Sequence, residues 1–123
     1  MSNQKLWIIA NATNQQASFS STNGDSGNCP AYSVTHTGGT DGNYIQIPDC
    51  SGSQWYNDHR ILVQAQSWTV AFWANDQENG MLYWSPSNSY YGGNPLEGSD
   101  STENLSLLIT FVNNQLQVYW SPF

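Results

Sequence analysis

The sequence predicts an all-β fold: a single-domain antiparallel sandwich or barrel of about eight strands joined by long polar loops. No segment of the 123-residue chain repeats apolar residues with the 3.6-residue period that an amphipathic helix requires. Instead, short runs of β-branched and aromatic residues are separated by clusters of Asn, Gly, Ser and Pro. Six Trp, seven Tyr and four Phe supply ample material for one core.

The N-terminal half contains short strands between loop-rich segments. Lys5–Ala12 is expected to be the first strand, followed by the turn 11–14, with Ala17–Ser21 as its returning strand. We expect further strands at Tyr32–Thr37, Tyr44–Ile47 and Ile61–Gln66, and one helical turn near Ser53–His59.

The C-terminal half contains two hairpins. Trp68–Ala74 and Met81–Ser85 flank a turn that ends in Asn-Gly, which favours positive φ. Leu105–Val112 and Gln115–Trp120 flank a two-residue Asn-Asn turn. Both hairpins end in Tyr-Trp-Ser-Pro, so segments 68–86 and 105–122 of the single domain 1–123 could be a degenerate repeat. We favour the alternative that Pro simply ends two core strands.

The charge balance excludes several classes of partner. Two Lys and Arg stand against nine Asp and Glu, which gives a formal net charge of −7. Two cations cannot neutralise a run of phosphates or hold a polybasic patch on anionic lipid. We therefore expect no nucleic-acid partner. No apolar stretch approaches the roughly 20 residues of a membrane-spanning helix, so no transmembrane segment is expected either.

The cellular compartment is predicted from the N-terminus and the two cysteines. The apolar run Leu6–Ala10 is too short for a signal peptide, so we expect a mature form behind an initiator Met, unconventional secretion or an intracellular location. Cys29 and Cys50 lie in turn sequence, with no C-x-x-C motif and no cluster of histidines nearby. We expect a structural disulfide between them, and hence an extracellular, oxidising environment, with free thiols as the alternative.

Groups that catalyse reactions or bind metals are few. His36 and His59 stand in no metal-ligand spacing, and the carboxylates fall in turn sequence where nothing selects a glycosidase-like pair. The oxygen-rich segments 41–43 and 100–103 lack the twelve-residue pattern of a calcium loop. We expect a non-enzymatic protein with no cofactor and no metal.

Aromatic and amide side chains are concentrated in two polar segments, 54–58 and 85–95. Sugars stack their C–H faces on aromatic rings while amides and carboxylates bind their hydroxyls. Loops that bind proteins have the same composition, and Trp55 and Tyr56 could equally be ordinary packing residues. We expect Trp7, Trp73 and Trp120, which lie inside strands, to belong to the core. The candidate ligand-binding residues are Tyr90, Tyr91, Asn88, Asn94, Trp55, Tyr56 and Asp58.

Three segments resemble the aegerolysins, small acidic β-sandwich proteins of fungi and bacteria. They are Lys-Leu-Trp-Ile-Ile-Ala-Asn at 5–11, Tyr-Ile-Gln-Ile-Pro-Asp-Cys-Ser-Gly at 44–52 and Leu-Tyr-Trp-Ser-Pro-Ser-Asn at 82–88. Ser85 stands where that family has an Asp, and the resemblance does not explain the long loop 87–102. The resemblance implies binding of a membrane sphingolipid headgroup, sometimes with a separate pore-forming partner.

These observations favour a lectin-like or aegerolysin-like recognition protein that binds a glycan or a polar lipid headgroup. A second hypothesis is a protein that docks to a cell-surface receptor or an enzyme, as inhibitors, defence proteins and sweet-tasting proteins do. A third is a storage protein, because Asn, Gln, Ser and Thr make up 48 of the 123 residues. The oligomeric state and glycosylation at Asn11 or Asn104 do not follow from these patterns.

Overall fold

Two β-sheets form the structure, as the all-β prediction required. The computed structural model describes residues 4–38 and 43–123. The strands in chain order are β1 (Lys5–Asn11), β2 (Ala17–Ser21), β3 (Ser26–Cys29), β4 (Ser33–His36), β5 (Ile45–Gln46), β6 (Asp49–Cys50), β7 (Ile61–Gln64), β8 (Thr69–Asn75), β9 (Met81–Ser85), β10 (Asn94–Pro95), β11 (Asn104–Val112) and β12 (Gln115–Pro122).

Short 3-10 helices connect some of these strands. They lie at Ser53–Asp58, Asp76–Glu78, Tyr90–Gly92 and Ser99–Ser101, and the first of them is the helical turn expected near Ser53–His59. None of the helices in the described ranges is long and apolar enough to cross a membrane.

The strand order places the C-terminal hairpin β11–β12 beside the N-terminal strand, with β11 next to β1. The five-stranded sheet has the order β12-β11-β1-β4, with β5 also paired to β1. The seven-stranded sheet has the order β10-β9-β8-β7-β2-β3, with β6 also paired to β8. Most neighbours are antiparallel, whereas the pairs β1–β11 and β6–β8 are parallel.

The predicted pairing of β1 with Ala17–Ser21 is wrong, although that strand forms with the predicted bounds. β1 pairs with β11, β4 and β5, whereas β2 pairs with β3 and β7 in the other sheet. The side chain of Asn11 explains the crossing. It donates hydrogen bonds of 2.9 Å to the carbonyls of Gln15 and Cys29 and accepts one of 3.0 Å from the Thr13 amide. These bonds turn the chain away from the first sheet towards the second.

The main core lies between the two sheets. Leu6, Ile9 and Ile109 of the first sheet meet Val63 and Phe72 of the second, and all five are fully buried. Trp120 packs against this core, as expected. The same expectation is wrong for Trp7, which lies outside it, stacked on Phe123 with ring centroids 4.9 Å apart.

Strand β8 is buried on both of its faces. Val70, Phe72 and Ala74 point into the main core, whereas Ala71 and Trp73 point to the outer face of the seven-stranded sheet. On that face they form a second buried cluster with Cys50 and Tyr56. Trp73 is therefore buried, as expected, but in this second cluster.

The predicted disulfide is wrong. Cys29 and Cys50 are free thiols, and both are buried. Cys29 belongs to the core between the sheets, whereas Cys50 belongs to the cluster on the outer face of the seven-stranded sheet. A sheet separates the two sulfur atoms, so the side chains point apart and cannot be bridged without moving the backbone.

Candidate ligand-binding site

The outer face of the seven-stranded sheet has an aromatic surface built on Trp73. The Tyr90 ring is stacked on Trp73 with centroids 5.6 Å apart, and Tyr83 is stacked on it at 6.1 Å. Tyr56 meets the same indole edge-on at 5.2 Å. Tyr91 continues the surface outwards, edge-on to Tyr90 at 5.5 Å. We call the five residues Tyr56, Trp73, Tyr83, Tyr90 and Tyr91 the aromatic patch.

Tyr56 is held by contacts at both ends of its side chain. Its hydroxyl donates a 2.8 Å hydrogen bond to Oδ1 of Asn88. The guanidinium carbon of Arg60 lies 4.8 Å from the centroid of its ring, and Nη1 of Arg60 donates to its backbone carbonyl at 3.0 Å. The 3-10 helix Ser53–Asp58 is thereby fixed against the loop that follows β9.

Tyr91 is the most accessible ring of the patch, because its side chain is 84 % exposed. The hydroxyls of Tyr91 and Ser53 lie 3.0 Å apart, which joins the 3-10 helix Tyr90–Gly92 to the helix Ser53–Asp58. An exposed ring held at its hydroxyl offers a flat apolar face. Because the ring is already partly ordered in the fold, binding loses less conformational entropy.

Close backbone approach brings the loop onto Trp73. A Cβ atom added at Gly93 would lie 2.7 Å from the indole ring and 3.1 Å from the Tyr83 ring. Only glycine allows the chain to cross the aromatic patch at this distance.

The structure brings together four of the seven predicted residues. Tyr56, Tyr90, Tyr91 and Asn88 come from two segments more than thirty residues apart and meet through the contacts above. Because Asn88 uses its side-chain oxygen to hold Tyr56, its amide NH2 is the group it offers to a ligand.

The other three predicted residues lie around the patch. Trp55 is 49 % exposed on the same 3-10 helix as Tyr56, with its ring edge-on to His59 at 6.2 Å. Asp58 ends that helix and is exposed. Asn94 is exposed at the sheet edge in β10, where its amide donates to the Gly92 carbonyl at 3.4 Å. Tyr83, Arg60 and Ser53 were not among the residues predicted for the site.

A polar depression adjoins the patch. It has a volume of about 410 Å3 and lies between the β7–β8 turn at 64–69 and the loop 86–88. Its lining includes Asn88, which is hydrogen-bonded to Tyr56 of the patch. Gln64, Gln66, Ser67 and Ser87 line it with amide and hydroxyl groups. The site therefore combines aromatic faces with adjacent hydrogen-bonding groups.

Three tyrosines of the patch, Tyr56, Tyr83 and Tyr90, keep their protons over a wide pH range. Burial raises the pKa of Tyr56 to about 12, although the nearby Arg60 charge lowers it in part. Burial also raises the pKa values of Tyr83 and Tyr90. These phenols are therefore neutral at physiological pH and act as hydrogen-bond donors or acceptors.

Within residues 4–38 and 43–123, no three His, Cys, Asp or Glu side chains are grouped so that they could hold a metal ion. Comparison of the chain with protein-family models, with curated proteins and with solved structures gives no match in any of the three.

Proposed function

We propose that this protein is a non-enzymatic recognition protein whose aromatic patch binds a glycan or a polar lipid headgroup. The observation that carries the proposal is the convergence of Tyr56, Tyr90 and Tyr91 on Trp73 from distant segments, with Asn88 at the border. Such an arrangement supplies the stacking faces and the polar groups that a sugar ring requires.

The charge of the chain narrows the ligand class. A net charge of −7 repels anionic ligands, and the patch itself contains no ionised side chain. Arg60, the one cation beside it, is already engaged with Tyr56. We therefore propose a neutral or zwitterionic ligand rather than an acidic glycan.

The test is a neutral-glycan array run beside a vesicle panel with the same purified protein. The panel compares phosphatidylcholine vesicles with vesicles that also contain a neutral glycolipid or a phosphosphingolipid. Saturable binding to free glycans identifies a lectin, whereas binding to one vesicle type alone identifies a lipid-headgroup binder, as the aegerolysin resemblance would imply.

Tyr91→Ala is the decisive variant, because this ring is exposed and belongs to neither buried cluster. Loss of one stacking face should weaken binding roughly tenfold. Tyr32→Ala is the matched control, since that ring is 74 % exposed between β3 and β4, outside the patch. No binding on either panel, or equal weakening by both variants, would overturn the proposal and direct the search to protein receptors.

A further inference from the structure

Strand β12 is an unprotected sheet edge. It has eight residues, and within the described chain it pairs only with β11. The other outer strands are short: β3 and β4 have four residues each, and β10 has two and ends at Pro95. Proteins usually protect a long edge with a charge, a bulge or a proline within the strand. In β12 the one proline is Pro122, the last residue of the strand.

The register shows which backbone groups of β12 are open. The two-residue turn Asn113–Asn114, with φ of 52° and 65°, makes Val112 and Gln115 the first hydrogen-bonded pair of the hairpin. Hydrogen-bonded pairs then alternate along the strands, so the N–H and C=O groups of Leu116, Val118 and Trp120 point away from β11. Pro122 follows in the same series, at a position where the N–H would also point outwards.

The hairpin β11–β12 is also uncharged. Residues 104–123 contain no Asp, Glu, Lys, Arg or His, so all nine acidic side chains lie elsewhere in the chain. Two molecules of net charge −7 repel each other over most orientations, and an approach through this hairpin brings together the segment with the least like charge. Exposed Phe111 and Tyr119 add apolar surface to it.

We propose that β12 pairs antiparallel with β12 of a second copy of this chain, which joins two five-stranded sheets into one continuous sheet. With the pairing centred on Val118, Val118 faces its own equivalent and Leu116 faces Trp120 of the second copy. The open groups of these three residues form about six hydrogen bonds across the two-fold axis. Each copy contributes its β12 edge to the interface, and no open β12 edge is left for a third copy. Association therefore stops at the dimer.

A groove beside β12 provides room for this pairing. It has a volume of about 610 Å3 and lies between Gln115–Val118 and the β9–β10 segment, which contributes Trp84, Pro86 and Leu96. Leu116, Val118 and Trp120 of the second copy continue the inner layer of the sandwich towards this apolar wall. Because β10 is only two residues long and ends at Pro95, the second sheet offers no competing strand there.

The test uses charge exchange on the outer face of β12. The double variant Gln117→Lys/Tyr119→Lys places lysines directly opposite each other in the paired register, and Gln117→Glu/Tyr119→Glu does the same with carboxylates. In sedimentation experiments from about 1 to about 500 µM, the unmodified chain should shift from monomer to dimer, and each double variant should remain monomeric. An equimolar mixture of the two variants should form heterodimers, because every opposed pair is then of opposite charge.

Leu108→Lys is the matched control. Leu108 is the cross-strand neighbour of Tyr119 and is exposed on the same face, but it lies on β11 rather than at the edge. The dimer should survive this change, and circular dichroism should show that all variants are folded. A monomer at every concentration, growth beyond the dimer, failure of the mixture to associate, or dissociation by Leu108→Lys would overturn edge pairing.

Discussion

The Tyr56 hydroxyl donates a 2.8 Å hydrogen bond to Oδ1 of Asn88, and this bond spans thirty-two positions of the chain. It joins the 3-10 helix after β6 to the loop after β9, so two separate polar segments become one surface. Asn88 accepts this bond from a left-handed backbone conformation with φ of 52°, which Asn tolerates better than most residues. The position thus requires both a side-chain acceptor and a permissive backbone.

Breaking this bond from either side should give unequal effects. Tyr56→Phe removes the hydroxyl itself and so leaves no unsatisfied donor behind. It should lower the free energy of unfolding by about 1 kcal/mol. Asn88→Gly keeps the backbone conformation but leaves the Tyr56 hydroxyl without its acceptor, so it should cost more, about 2 kcal/mol. Urea unfolding of both variants measures the difference. A smaller loss for Asn88→Gly than for Tyr56→Phe would show that the hydroxyl finds another partner.

Stability should fall at alkaline pH. The folded state raises the pKa of Cys29 from 9.0 to about 11 and that of Tyr56 from 10.0 to about 12, chiefly because burial disfavours the charged forms. Between pH 9 and 12 the unfolded chain loses these protons first, so the free energy of unfolding decreases as pH rises through this window.

Single variants separate the two contributions. Cys29→Ala should flatten the decrease that starts near pH 9, and Tyr56→Phe the part that starts near pH 10. Urea midpoints measured at a series of pH values test this. Curves of unchanged slope in both variants would mean that other groups cause the alkaline loss.

The two thiols should be unreactive in the folded protein. Both are buried, and burial raises both pKa values, so little nucleophilic thiolate is present at neutral pH. We expect an alkylating reagent to modify neither Cys29 nor Cys50 until urea unfolds the chain, when both should react. A reducing agent should leave the melting temperature unchanged. A melting temperature that falls on reduction would instead support the predicted disulfide between Cys29 and Cys50.

Most strands were predictable, and so were the partners within the two hairpins, β8 with β9 and β11 with β12, whereas partners distant in the chain were not. β2 and β9 have the predicted bounds, because apolar and polar residues mark them clearly. β3, β6 and β10 were missed, because Ser-Gly-Asn-Cys has no apolar alternation and two-residue strands carry no periodicity. The pairing of β1 with β11 joins residues about a hundred positions apart, and no local pattern encodes such a contact.

Part of the candidate site was predicted from the composition of two loops. Its remaining members became visible only from the way the chain folds. Tyr, Trp and Asn in two loops were enough to select Tyr56, Asn88 and Tyr90. Trp73 was assigned to the core because it lies within a strand of continuous apolar residues. Both faces of such a strand are apolar. The sequence therefore does not show which face packs against the second sheet and which is covered by loops. The disulfide prediction failed for a related reason. The spacing of two cysteines along the chain does not show on which face of a sheet each one lies.

Two neighbouring glycines provide a test of how closely the loop must approach the aromatic patch. An added Cβ at Gly93 would meet the Trp73 ring at 2.7 Å, and that fully buried ring cannot move freely. Gly93→Ala should therefore lower the free energy of unfolding by about 1–3 kcal/mol and disturb the stacking of Tyr83 and Tyr90. At Gly92 the nearest atom is the hydroxyl of Ser87, an exposed side chain that can rotate away.

Gly92→Ala should accordingly cost less than Gly93→Ala and leave the tryptophan environment intact. Near-ultraviolet circular dichroism reports the packing of Trp73 and its tyrosines, and urea unfolding reports the free energy. The two substitutions are chemically identical and adjacent, so a larger loss at Gly93 points to its contacts with the Trp73 and Tyr83 rings rather than to the added methyl group alone. Equal losses in both, with equal spectral changes, would mean that the loop backbone rather than Trp73 limits this position.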